Sequence, residues 1–222
     1  ILKTKNLGIH FFRGSCVVIA NISFFAGIAV LPLAEATAIF FISPILITIF
    51  SIVFLKESVG ILRWSALIFG LLGVLLVIKP FGVSFRWEII FPLTAALAYS
   101  SLQILTRYLG VNEKAATMAF YIQISFITYM GIFSIFFHDG NFDIVNHPSF
   151  EFFFKGWVWP NNYDLLVICF IGVFNAFGGY LISQAYRLSF AGLVAPFEYS
   201  ALVFSIFWGI IILGEFLNFL SI

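Results

Sequence analysis

Charge is what this sequence has least of. Only 9% of its 222 residues are Asp, Glu, Lys or Arg, against 62% hydrophobic residues. A water-soluble domain carries about 25% charge and about 45–50% apolar residues. With a mean hydropathy of +1.11, the chain cannot cover a water-facing surface, so it reads as an all-α integral membrane protein. Its charge is also balanced. Eleven basic and ten acidic residues leave a net +1 and no basic tract, which excludes a nucleic-acid partner. Cysteine is scarce. Cys16 and Cys169 both lie in apolar stretches and form neither a disulfide framework nor a metal spacing. Enzyme signatures are missing too: no His-Glu-x-x-His, no Gly-x-Ser-x-Gly and no phosphate-cradling loop. The three histidines (His10, His138 and His147) are read as lying outside the helices. No enzyme, cofactor or metal is expected.

What the chain does have is long apolar runs, with 31 phenylalanines as lipid-facing bulk. A spanning helix needs about 20 apolar residues to cross about 30 Å of hydrocarbon. Seven stretches qualify, at 11–31, 33–55, 61–80, 87–108, 115–137, 163–187 and 190–213. Barrel strands alternate with period two, and these runs do not. The breaks are short, except for a connection at 138–162. That stretch contains Trp157-Val158-Trp159-Pro160 and is expected to be an interfacial hairpin or short amphipathic piece. Counted by alternate loops, eight of the basic residues fall on one side and three on the other. The richer side is expected to be cytoplasmic.

Two segments resemble each other. Leu31 set against Leu188, an offset of 157, aligns Ala34 with Ala191, Ala38 with Ala195, Phe40 with Phe197 and Ser43 with Ser200. Ile49-Phe50 then meets Ile206-Phe207, and after one inserted residue Glu57 meets Glu215. The first segment starts outside and the second inside, as in inverted-repeat transporters. Inversion needs an odd number of helices per repeat, and the two segments are five helices apart. The expectation is ten helices in two inverted repeats of five, of which seven are visible here. The chain opens on Ile1 rather than Met and is expected to be a piece of a longer protein.

The run from Leu31-Pro32-Leu33-Ala34-Glu35 through Leu55-Lys56-Glu57, followed by Gly70-Leu71-Leu72-Gly73-Val74, resembles the first half of an EamA-type transporter of the drug/metabolite transporter superfamily. His10-Phe11-Phe12-Arg13-Gly14 is similar to the start of that family's third helix. Gln184-Ala185-Tyr186-Arg187, Ala195-Pro196-Phe197-Glu198-Tyr199 and Leu213-Gly214-Glu215 resemble the second half. Pro196-Phe197-Glu198-Tyr199 is similar to the S-adenosylmethionine uptake branch. Where the family commonly has Leu-Gly-Glu, this chain has Leu55-Lys56-Glu57. The resemblance implies that 1–80 ends the first repeat with its last three helices, that 87–222 supplies four helices of the second, and that the pathway runs between them.

Glu198 is the sharpest candidate for chemistry. It sits about four residues, or about 6 Å, from the centre of its helix, where an ionisable group marks a functional site by default. Ala191, Ala195, Glu198, Ala201, Ser205 and Trp208 follow three- and four-residue spacing, a small and polar stripe facing other helices or a cavity. The bland alternative is a glutamate bonding a neighbouring helix. Glu35 lies about 13 Å from its helix centre, where a snorkelling carboxylate at a helix start suffices. Glu57 and Glu215 are read as bonding loop amides or gating exits. Asn21, Asn175 and Gln184 are amides at hydrocarbon depth that want partners on helices or on a substrate. Tyr99, Gln103, Tyr121, Gln123 and Tyr199 are expected to line the same cavity, with Tyr180 and Trp208 near Glu198. Pro44 and Pro196 interrupt their helices and serve as candidate hinges. Gly70, Gly73, Gly178 and Gly179 are read as close helix contacts.

These residues point to a secondary transporter in the bacterial inner membrane. Its expected partners are the lipid bilayer and a small cationic or zwitterionic metabolite, such as S-adenosylmethionine or an amino-acid-like molecule; a homo-oligomer is left open. The rival readings are a seven-helix receptor or photoreceptor, and a membrane enzyme without its motif. A retinal protein needs a Schiff-base lysine inside a helix, and no lysine lies in the interior of an expected span. Orientation is directly testable. Asn112→Cys should label only from the cytoplasmic side, and cysteines placed in 139–160 only from outside. Labelling of Asn112→Cys by impermeant reagent in intact cells would overturn the assignment.

Overall fold

The computed structural model describes residues 4–78, 87–137, 151, 154, 156, 158–208 and 211. Among these residues every regular element is helical. In chain order they are α1 (Leu7–Ile28), α2 (Leu33–Phe40), α3 (Ser43–Leu55) and α4 (Ile61–Ile78). A 3₁₀ turn at Trp87–Ile89 leads into α5 (Ile90–Leu109), followed by α6 (Ala115–Phe137) and α7 (Asn162–Leu188). The last described segment is α8 (Ala191–Val194), a 3₁₀ stretch at Ala195–Tyr199, and α9 (Ser200–Trp208). Five segments are long and apolar enough to cross a membrane: Leu7–Ile28, Glu35–Leu55, Trp87–Leu109, Ala115–Phe137 and Asn162–Leu188. Ile61–Leu76 and Ala191–Phe204 are apolar but shorter.

The described parts of the seven apolar stretches are thus mainly helical, with two differences from the expectation. First, α1 begins at Leu7 rather than at residue 11. His10 lies inside it and is fully buried, against the expectation that every histidine sits outside the helices. The polar pair His10 and Arg13 does not end the helix because both side chains pack inward against protein rather than lipid. Second, two of the helices are interrupted near their middles. Of the long connection, residues 138–150 lie outside the described residues, as does Trp157; Val158 and Trp159 are exposed.

Local chemistry explains the helix ends. Asn161 caps α7: its side-chain oxygen accepts from the Asp164 amide at 2.8 Å, which satisfies one free N–H of the first turn. Asp164 adds negative charge where the helix dipole favours it. At the end of α3, Lys56 adopts a left-handed conformation, φ 56° and ψ 30°. Glycine is the usual residue there because it lacks a Cβ. This position is the one where Lys replaces the glycine of the commoner Leu-Gly-Glu pattern.

The hub of the packing is α5, which lies against α1, α2, α3, α7 and α8. Its inward face carries the small residues Ala95, Ala96 and Ser100, all fully buried. Small residues let helix backbones approach where no hydrophobic drive exists between lipid-embedded helices. The same device recurs at Gly14 of α1, where a Cβ would overlap the Ser125 side chain of α6, and at Gly27, where it would stand 3.0 Å from Pro92 of α5. Residues of α3, α4, α5, α7 and the α8 segment close one apolar cluster, which includes Ile47, Leu67, Val74, Ile104, Tyr186, Ala191 and Tyr199. Away from it, α7 turns an apolar face outward through Leu166, Ile171, Phe174 and Phe177.

A left-handed non-glycine residue costs about 1–2 kcal/mol. Lys56→Gly should therefore stabilise the purified protein by about 1 kcal/mol, seen as a higher thermal midpoint in detergent. An unchanged or lower midpoint would show that the Lys56 side chain compensates its backbone.

Candidate functional site

The two interrupted segments cross, and the site is built on that crossing. After α2, Phe41 and Ile42 form a turn and α3 restarts with Pro44 in its first turn. Proline lacks an N–H and is tolerated there because first-turn amides have no intrahelical partner. In the other segment, α8 gives way to the 3₁₀ stretch, which carries Pro196 in its own first turn. The Tyr199 hydroxyl of that stretch donates to the Phe41 carbonyl at 3.2 Å, with the two rings 5.9 Å apart. The Ser43 carbonyl accepts from Ser100 of α5 at 3.2 Å. Gly70 of α4 makes room, since a Cβ there would overlap the Tyr199 ring. The Phe41 carbonyl, left at the break between α2 and α3, thus finds a side-chain donor, as hydrocarbon surroundings require.

Glu198 precedes Tyr199 and is held from two sides. Its Oε1 accepts from the Tyr186 hydroxyl of α7 at 2.6 Å and from the Tyr99 hydroxyl of α5 at 3.1 Å. Tyr186 is fully buried. One carboxylate thus ties three elements together. Tyr99 belongs to an aromatic row, with Phe40 at 5.4 Å from it and Phe24 at 5.3 Å from Phe40.

That row forms part of the wall of a cavity of about 490 Å³ between α1, α2, α5, α6 and α7. Its polar lining is Arg13, Asn21, Tyr99, Gln103, Thr106, Gln123, Asn175 and Ser183. Volume and mixed lining suit a small molecule. Glu198 is not itself on the wall; Tyr99 stands between its carboxylate and the cavity. Arg13 is fully buried. Its guanidinium donates to the Thr106 hydroxyl through Nε at 3.1 Å and Nη2 at 2.9 Å, and to the Met118 carbonyl through Nη1 at 3.3 Å.

A polar network ties together the end of the bundle where α3, α5 and α7 finish. Arg107 pairs with Glu57 at 3.1 Å, donates to the Arg187 carbonyl at 3.0 Å, and stacks over Phe190 at 5.2 Å. Glu57 also accepts from the Gly192 amide at 3.4 Å. Arg187 donates to the Glu113 carbonyl at 2.9 Å, and the Glu113 carboxylate accepts from Thr4 and lies 3.9 Å from His10.

The structure separates the candidate residues. Asn21 and Asn175 reach the cavity wall, although the Asn21 amide also donates back to the Val17 carbonyl at 2.8 Å. Tyr199 is buried in the crossing. Gln184 is half-buried and Tyr180 half-exposed, and neither lines the cavity. Phe197 is largely exposed. Trp208 ends α9, and its side chain lies outside the described residues, as does Glu215. The small and polar stripe does not run through: Ala191 and Ala195 are buried but Ala201 is exposed. A 3₁₀ turn advances about 120° per residue against about 100° in an α-helix, so five such residues shift the phase by about 100°. Gly70 is a close contact as expected. Gly178 and Gly179 have open space beside them and widen the cavity instead. Tyr186 and Arg13 were not singled out as site residues from the sequence. Their signal was a polar side chain within a span, which marks both equally with residues that do nothing.

Bundle, crossed interruptions and polar-lined cavity define a multi-pass α-helical membrane protein of the transporter type. Residues 2–79 match the EamA-like transporter family. Relatives matched along nearly the whole chain are likewise named as transporters. The chain is 25% identical to an S-adenosylmethionine uptake transporter of Rickettsia prowazekii (strain Madrid E) over 215 residues, 97% of this chain and 67% of that protein. It is 24% identical to a riboflavin transporter of Vibrio cholerae over 215 residues, 96% of this chain and 66% of the other. An uncharacterised transporter of Helicobacter pylori (strain J99) is 31% identical over 211 residues, 91% of this chain and 64% of the other. The chain thus spans about two thirds of the length of these relatives. A solved crystal structure shares the fold with a TM-score of 0.75 at 16% identity, over 95% of this chain and 70% of that one.

Removing either tyrosine hydroxyl leaves Glu198 with one donor; removing both leaves it with none. Tyr99→Phe and Tyr186→Phe should each cost about 1 kcal/mol, and the double variant more than their sum, because a partly buried carboxylate left without either donor bears more of its desolvation cost. Thermal unfolding in detergent measures this. Strict additivity would mean that the two hydroxyls do not share one acceptor.

Proposed function

We propose that the protein is a secondary transporter that carries a small cationic or zwitterionic metabolite across the bacterial inner membrane by alternating access. The observation that carries this reading is the cavity beside Tyr99, where a hydroxyl bound to the Glu198 carboxylate stands in an aromatic row. A cation over such rings gains about 0.5–2 kcal/mol, and the carboxylate behind Tyr99 adds attraction at low dielectric. The Glu57–Arg107 network supports a closed state at one end of the path. The relatives named as S-adenosylmethionine and riboflavin transporters agree with a small-metabolite substrate, as does the absence of any catalytic motif.

The same reading includes two inverted repeats of five helices, ten in the intact protein. It is supported by the offset of 157, which sets the Phe41–Ile42 break opposite Glu198–Tyr199 within the other interruption. In this scheme Pro44 and Pro196 mark the hinges, and the Arg107 network opens as the cavity switches sides.

Glu198→Gln keeps size and hydrogen bonding but removes the charge. In proteoliposomes, a cation-binding role predicts a large rise in KM for a cationic substrate, since the attraction of the carboxylate behind Tyr99 is lost. A coupling role predicts that exchange survives while proton-driven accumulation disappears. Normal transport with an unchanged pH profile would assign Glu198 to helix packing and overturn both roles.

A further inference from the structure

Along α5, three residues of the cavity wall share one face. Tyr99, Gln103 and Thr106 stand at i, i+4 and i+7. Seven residues make nearly two full turns, so Tyr99 and Thr106 point the same way about 10 Å apart. At the first level Tyr99 holds a carboxylate, Glu198. At the second, Thr106 holds a cation, Arg13. The helix is therefore a ruler with opposite charges tied to its two ends and a neutral amide, Gln103, between.

Among the described residues, Arg13 has no counter-ion. The ion pairs among the described residues are His10–Glu113 and Glu57–Arg107, and the acceptors of Arg13 are a hydroxyl and a backbone carbonyl, both neutral. A guanidinium has five N–H donors, and three are used. The titratable side chains three residues to either side of it on α1, His10 and Cys16, are both buried, and neither is a carboxylate. The side chains that share the cavity near it, Gln103 and Gln123, are neutral amides. A buried cation without an anion is costly, and inside a membrane such groups mark substrate paths.

We propose that Arg13 is an anion subsite that receives a carboxylate of the transported molecule, making the ligand an extended zwitterion. This rests on the reading of the Tyr99–Glu198 end as a cation site. The ligand's cation sits against the aromatic row and its carboxylate completes the guanidinium's hydrogen bonds. With about 10 Å along α5 between the two levels, the ligand's cation and its carboxylate are held apart by several bonds. The two charges of an α-amino acid are attached to one carbon and cannot reach both ends. A cation several bonds from the carboxylate can.

The test uses 4-(trimethylammonio)butyrate, its methyl ester, which has the same cation without the anion, and trimethylammonioacetate, whose charges lie too close. Binding to the full-length purified protein is measured by titration calorimetry for wild type, Arg13→Gln and Arg13→Lys. Wild type should bind the butyrate about tenfold or more tighter than either the ester or the short betaine, as one charge-assisted pair is gained. Arg13→Gln should lose that preference while the ester binds as before, which also shows that the cavity is intact. Arg13→Lys should restore part of it. Equal binding of acid and ester by wild type overturns the inference, as does binding of neither. So does an equal weakening of both in Arg13→Gln, the result of a purely structural arginine. Ester binding that Glu198→Gln abolishes keeps the cation site even where the anion subsite fails.

Discussion

A backbone carbonyl released inside a bilayer has no water to turn to, and most of this architecture follows from that constraint. Two apolar segments are broken near their middles, which exposes polar backbone within an apolar stretch. The breaks are laid across each other so that a tyrosine from one supplies a donor for the other. The tyrosine ring then needs a glycine on α4 to lie against. The residue before that tyrosine is Glu198, so its position is a by-product of the crossing. A polar centre in the membrane is reached here by cross-linking two defects rather than by inserting a polar residue into a sound helix.

The second organising element is α5. One of its faces is stripped to alanine and serine for close packing, and an adjoining face carries tyrosine, glutamine and threonine into the cavity. A single rigid helix thus sets both the spacing of the bundle and the spacing of the groups a solute would meet. Groups held on one straight helix keep their separation when the ends of the bundle open or close.

How much could be read beforehand varied with how local each signal was. Spans were legible because twenty apolar residues announce themselves without reference to anything else. Glu198 was legible because a carboxylate at that depth has no bland surroundings. Its donors were not. Tyr99 was seen only as one of several wall residues, and Tyr186 was passed over, because nothing in a helical repeat shows that a 3₁₀ stretch will rotate Glu198 toward α7. The same rotation moved Ala201 out of the stripe drawn through it. His10 was placed outside the helices because polar residues at the edge of a run look like a boundary, and only the acceptors on α5 and α6 show why Arg13 is drawn in. The glycine pair 178–179 was misread because a missing side chain serves close contact and open space equally well in sequence.

The bonds of Arg13 also set a clock on assembly. Its acceptors on α5 and α6 lie 93 and 105 positions further along the chain. At a synthesis rate of about 5–20 residues per second, α1 leaves the ribosome about 5–20 s before either acceptor exists. During that interval an arginine at mid-helix would cost about 2.5–3.5 kcal/mol in lipid. Six residues from the start of α1, or about 9 Å along it, the side chain can still extend to the headgroups. Until those partners are made, extension toward the headgroups, rather than the bonds seen in the folded bundle, is what keeps this guanidinium out of hydrocarbon.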